Sequence, residues 1–168
     1  MTSPSFQLPF SANLGFLWTE LSLPHAIRAA DAAGFEAVEC HWPYDVDPSE
    51  LAAALTETGL PMLGLNTRRG DVDAGDNGLC AIPGREAEAR EAIDEALIYA
   101  KAIGCRNVHV MAGKTAQDEA STSCFVENLR YAVEKAHDVG CGLLIEPLNT
   151  RDAAGYFLTS LEQAADIL

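Results

Sequence analysis

Five polar residues stand where short apolar runs end: Asn13, Glu39, Asn66, His109 and Glu146. Two carboxylates, an imidazole and two amides suit enolisation. A carboxylate takes a proton from the carbon beside a carbonyl, while polar groups or a metal hold the oxygens of the enediolate that forms. A second carboxylate is useful because one can remove the proton and the other return it. Arg69, Lys114 and Arg151 follow strand ends in three different loops. The chain sets 11 basic residues against 25 acidic ones, a net charge of -14. An anionic small substrate would need such cations to overcome the surrounding field. Otherwise each is a solvated loop charge.

Glu146 is the sharpest of these signals. Leu143-Leu144-Ile145 reads as a strand buried on both faces, as in a parallel sheet covered by helices. Glu146 ends it, followed by Pro147, which cannot donate to the next ladder bond. A lone carboxylate buried there is costly unless a metal, an arginine or a substrate compensates it. Arg151 is the nearest candidate for a purely structural pair. Chemistry in α/β folds gathers at such strand ends, where the βα loops open. His109 alternates with Val108 and Val110 and points opposite to them, either as a satisfied core histidine or toward a substrate. Glu39 is alternatively a charge set against a helix end. His41 and Trp42 fall in a loop at the mouth, either as plain loop residues or as substrate contacts; His25 and His137 fall on helices, at the surface.

A repeated punctuation positions these residues. Around Gly34, Gly59, Gly104 and Gly140 an amphipathic segment ends, a glycine follows, and a short apolar run begins. The glycine is the left-handed residue that closes a helix, and the run is the next strand. Repeated helix-glycine-strand units imply βα crossovers and a parallel sheet. Strands are expected over 10–16, 37–40, 62–65 and 107–111, with the fifth in the stretch around Glu146. Helices are expected from Ser22 to Ala33, from an Asp47-Pro48-Ser49-Glu50 start to Gly59, over 86–103 and over 123–138. The fourth should bury Phe125, Leu129, Ala132, Val133 and Ala136. A Thr159-Ser160-Leu161-Glu162 capping box opens a fifth. The long polar loop 67–85, with Gly70, Gly75, Gly78 and Gly84, reads as a lid.

Hydrophobic content of 48% and charged content of 21% fit one globular domain. The acidic balance argues against a nucleic-acid or anionic-membrane partner, since both favour a basic face. The adjacent pair Arg68-Arg69 is too small for a patch. No apolar run reaches the roughly 20 residues of a membrane helix. Met1 to Phe10 lacks the basic start and apolar core of a signal peptide, so a cytoplasmic location is expected. The five cysteines contain no C-x-x-C and read as buried small apolar residues in a reducing compartment. No G-x-S-x-G elbow, P-loop, G-x-G-x-x-G after a strand or H-E-x-x-H is present. Hydrolase, kinase and dehydrogenase readings fall, and no nucleotide cofactor is expected.

Five βα units leave a sheet with two open edges. A closed (β/α)8 barrel typically needs about 250 residues. The chain is therefore expected to be either a small open α/β domain or the first five-eighths of a barrel.

Several stretches together resemble hydroxypyruvate isomerases, which belong to the xylose-isomerase-like TIM barrels. They are Phe10-Ser11-Ala12-Asn13-Leu14, Gly34-Phe35-Glu36-Ala37-Val38-Glu39, Pro43-Tyr44-Asp45, Gly70-Asp71 with Ala74-Gly75, Pro83-Gly84-Arg85-Glu86, Val126 to Ala132, and Leu144 to Asn149. The resemblance runs from about Phe6 to Leu168. It implies one α/β domain over 1–168, a partial (β/α)8 TIM barrel with five parallel βα units, incomplete at its C-terminus. It implies interconversion of hydroxypyruvate and tartronate semialdehyde (2-hydroxy-3-oxopropanoate) through an enediolate. Glu146 is then one of the family's two acid/base glutamates and, where a divalent metal such as magnesium or manganese is bound, one of its ligands. The other ligand positions and the second glutamate lie on strands six to eight of the family, and Glu39 on strand two does not stand in for them. Asn13, Glu39, Asn66, Arg69, His109, Lys114 and Arg151 are expected to bind the small anionic sugar-acid substrate.

Two alternatives share the superfamily's chemistry, 2-oxo-tetronate isomerase and ketose 3-epimerase, and pocket size would separate them. A third is an inactive partial barrel that binds a partner, or a second copy as a homo-oligomer, through its open edges. The superfamily's DNA-repair endonucleases are disfavoured by the net charge and by a total of four histidines.

Overall fold

Helix ends set where each strand begins. The structure, a computed structural model, describes residues 8–168, so the stretch read for a signal peptide lies largely outside the described residues. In chain order the elements are β1 (Ser11–Asn13), α1 (Leu23–Ala32), β2 (Ala37–Glu39), α2 (Pro48–Thr58), β3 (Leu65–Asn66), α3 (Glu86–Ile103), β4 (Asn107–His109), α4 (Glu119–Val139), β5 (Gly142–Leu144) and α5 (Leu161–Ile167). Gly59, Gly104 and Gly140 close α2, α3 and α4 in the left-handed conformation, at φ 72°, 66° and 68°. Each turns the chain straight into the following strand segment.

Among the described residues, three of the five helix N-termini carry side-chain caps; Ser22 before α1 and Arg85 before α3 make none. Asp47 accepts from the Ser49 amide, with Pro48 opening α2. Asp118 accepts from the Ser121 amide, so α4 begins a turn earlier than expected. The cap of α5 is shifted one residue from the expected box. Ser160 accepts from the Gln163 amide, and the Gln163 side chain accepts from the Thr159 amide.

The strand ladders are parallel, β1 with β2, β3 with β4 and β4 with β5. Residues 61–66 join the two groups: the Val38 amide donates to the Pro61 carbonyl, and the Cys40 amide to that of Gly64. The strands thus form one arc in chain order, as repeated right-handed βα units build. Among the described residues the arc does not close into a barrel. The strands are shorter than expected. After Asn13 the chain curls at once, because the Phe16 and Leu17 amides both donate to the Asn13 carbonyl. Val38, Leu65, Val108, Ile27, Leu51, Ile93 and Phe125 are fully buried where helices meet the sheet.

The last strand departs from the expected doubly buried one. Leu143 is half-buried and Leu144 is 47% exposed, because β5 pairs with β4 on one side and, among the described residues, has no strand on the other. The same opening exposes Val133, expected in the core, at 59%. Val133, Leu143, Leu144, Ile145 and Ile167 line an apolar groove of about 650 Å³ along this edge.

Part of the 67–85 loop, read as a lid, is packed down, while residues 70–75 are exposed. The Cys80 and Ala81 amides donate to the Met111 and Ala112 carbonyls beyond β4, and Leu79, Cys80 and Ala81 are buried. The four cysteines outside β5's start are buried, Cys141 is half-buried, and all are free thiols.

Candidate active site

Register brings the strand-end residues together. Asn13 pairs with Glu39 and Asn66 with His109, so these side chains leave the sheet at one level. Glu146 follows two residues after Leu144, the partner of His109. Asn13, Glu39, Asn66, His109 and Glu146, with His41, line one cavity of about 350 Å³ at the C-terminal end of the strands.

Each of these groups is held from behind. The Asn13 side-chain oxygen accepts from the Gly15 amide at 2.9 Å. The Asn66 amide donates to the His41 carbonyl, and the Asn66 carbonyl accepts from the Tyr44 hydroxyl. His41 lies so close over Gly15 that a Cβ there would enter the imidazole ring. Phe16 meets the same ring edge-on at 4.9 Å between centroids. Burial lowers the His41 pKa; Glu39 raises it and Arg69 lowers it by smaller amounts.

His109 is the one buried titratable side chain of the set, 7% exposed. Its Nδ1 lies 3.3 Å from Asn66 Oδ1 and 3.8 Å from Glu146 Oε2. Its Nε2 is buried with no hydrogen-bond partner. Burial, with a smaller push from His41, lowers its pKa to about 4, so the ring is neutral at pH 7. The Glu146 carboxylate is 63% exposed, and its attraction through that much solvent does not offset the burial. With Nδ1–H donated to Asn66, Nε2 is left as an acceptor.

Glu146 itself corrects the sequence reading. It is a largely exposed carboxylate, 3.8 Å from His109 Nδ1 and with no ion pair to Arg151 among the described residues. Glu39 is half-buried, and its carboxylate makes no hydrogen bond or ion pair among the described residues. Lys114 is exposed where its backbone bridges Tyr156, and Arg151 is exposed in the Asn149–Asp152 turn; neither lines the cavity. Arg69 does not line it either; it is stacked on Trp42, and its charge acts on His41, which does line the cavity. His25 and His137 are exposed, as expected. Tyr44 and Thr67, which brace Asn66 and the end of β4, carried no signal in the sequence because their partners are distant in the chain.

No three His, Cys, Asp or Glu side chains among the described residues converge as a metal site. The described residues do not by themselves make a metal centre.

A parallel arc of βα units with its polar residues gathered at the strand ends defines an open, barrel-type α/β fold. Residues 27–168 match the xylose isomerase-like TIM barrel family, and the chain belongs to that family. A human protein provisionally named hydroxypyruvate isomerase is 46% identical over 96% of this chain and 61% of its own length. A 2-oxo-tetronate isomerase of Cupriavidus necator is 44% identical over 89% of this chain and 58% of its own. A crystal structure named as an AP endonuclease, family 2, from Brucella melitensis superposes with a TM-score of 0.90 at 40% identity. It matches 95% of this chain and 63% of that one. The chain spans about three fifths of the length of the curated relatives it matches.

Proposed function

We propose that the chain carries the substrate-positioning half and one acid/base glutamate of a hydroxypyruvate isomerase. The observation that carries this is the convergence of Glu146, neutral His109, Asn66, Asn13 and Glu39 on one cavity, in a chain 46% identical to a relative of that name.

Glu146 takes a proton from C3 of hydroxypyruvate, the carbon bearing the terminal hydroxyl. The electron pair moves to the C2–C3 bond, and the C2 oxygen gains a proton, giving the enediol. Return of a proton to C2, with loss of the proton on the C3 oxygen, gives the aldehyde of tartronate semialdehyde. Atoms and charge balance within the substrate. A neutral His109 has a free ring nitrogen that can take the proton lost by the C3 oxygen, which an imidazolium could not. Asn13 and Asn66 offer amide groups to the same oxygens. Family resemblance adds a divalent metal that would polarise the carbonyl; Glu146 would contribute one ligand, and no step above passes through it.

The C. necator relative supports a second reading, isomerisation of a substrate one hydroxymethine unit longer. The net charge of -14 argues against DNA as the substrate, although the Brucella protein is named an endonuclease. The test is direct: hydroxypyruvate is incubated with the full chain and the aldehyde of the product followed by NMR. Conversion that outpaces the buffer is expected. Its absence, with conversion of 2-oxo-tetronate, would move the proposal to the second reading.

A further inference from the structure

The adjacent arginines 68 and 69 take opposite tasks. Arg68 forks onto Glu95 of α3 and covers the Tyr44 ring, on the outer side of the sheet. Arg69 turns the other way, its guanidinium carbon 4.0 Å above the Trp42 ring centroid. It has no carboxylate within ion-pair distance among the described residues, whereas Arg28, Arg68 and Arg85 all do. Its charge is felt at His41, which lines the cavity.

The platform under Arg69 is fixed. The Trp42 indole donates to the Thr67 carbonyl at 3.1 Å, and its ring packs 5.0 Å from that of His41. Thr67 is buried; its amide donates to the His109 carbonyl, and its hydroxyl accepts from the Met111 amide. The Arg69 carbonyl accepts from the Gly78 amide at 2.8 Å. A guanidinium stacked on an indole keeps its in-plane N–H groups free, a fork matched to a carboxylate. Such a group, already ordered before a ligand arrives, loses little entropy on binding.

We infer that Arg69, held on Trp42, is the anchor for the substrate's carboxylate, and that it selects sugar acids over uncharged sugars at this site. This rests on the isomerase reading above. Arg69 touches the end of the substrate remote from the reacting C3, so it sets affinity and orientation and moves no proton.

The experiment titrates the full chain by NMR with hydroxypyruvate and with dihydroxyacetone, which replaces the carboxylate by a hydroxymethyl group. Wild type should bind hydroxypyruvate at least about tenfold more tightly, as charge-assisted paired hydrogen bonds predict. Arg69→Met should abolish that preference and leave dihydroxyacetone binding unchanged. Trp42→Leu should weaken the preference severalfold, and Arg69→Lys should restore only part of it. An intact preference in Arg69→Met, or equal weakening of both ligands, overturns the inference while leaving the isomerase reading in place. Failure of wild type to bind either ligand overturns that reading, and the inference with it.

Discussion

The two sides of the cavity are built differently. The β1–β4 side is closed: Asn13, Asn66 and His41 are braced by backbone hydrogen bonds, and His109 is buried. The β5 side is open. Glu146 is 63% exposed, Leu144 is 47% exposed, and a groove runs along the unpaired strand. Binding groups are thus set in a rigid scaffold, while the group assigned to move a proton stands on an edge. Order and reactivity are separated across one cavity.

Breaking that contrast gives the largest effects first. Glu146→Gln should cut turnover by about 10²–10⁴-fold, the usual worth of a positioned acid/base. Its folding stability should shift by less than about 0.5 kcal/mol, because the side chain is mostly in solvent; steady-state rates and a urea melt read the two. On the closed side, Leu65→Ala removes a fully buried side chain and should cost about 2–5 kcal/mol. Leu144→Ala on the open side should cost under about 1 kcal/mol by the same melt. Equal costs would mean the β5 edge is covered in solution.

The sign of the pH response follows from His109. Its folded pKa, about 4, lies below the ordinary value of 6.5. Between those values the unfolded chain holds a proton that the folded chain lacks, so stability rises with pH across that window. The contribution is complete above pH 6.5 and is lost as pH falls toward 4, amounting to about 3 kcal/mol at most. His109→Gln should flatten that part of the profile. The smallest change expected is Leu161→Ser, 76% exposed in α5, which should leave stability within about 0.5 kcal/mol.

Much of this was legible in the chain because the signals are local. Gly59, Gly104 and Gly140 end helices by a backbone conformation that a single residue dictates. Strand-end Asn66, His109 and Glu146 could be named because strand starts fix strand ends. What was illegible depends on partners far apart in sequence. Nothing local distinguishes Arg68 from Arg69; Glu95 and Trp42 do. Nothing in loop 67–85 shows that Cys80 and Ala81 pair with residues 111 and 112. The apolar run at Leu143-Leu144-Ile145 suggested burial on both faces, but burial requires a neighbouring strand as well as an apolar sequence.

The central claim is that Glu146 moves the C3 proton. Hydroxypyruvate placed in D2O with the full chain should gain deuterium at C3, read by NMR as loss of the C3 proton signal beyond the buffer rate. Glu146→Gln should reduce this to the buffer rate while keeping hydroxypyruvate bound. Undiminished exchange in Glu146→Gln would contradict the account and place the base on another residue of the cavity.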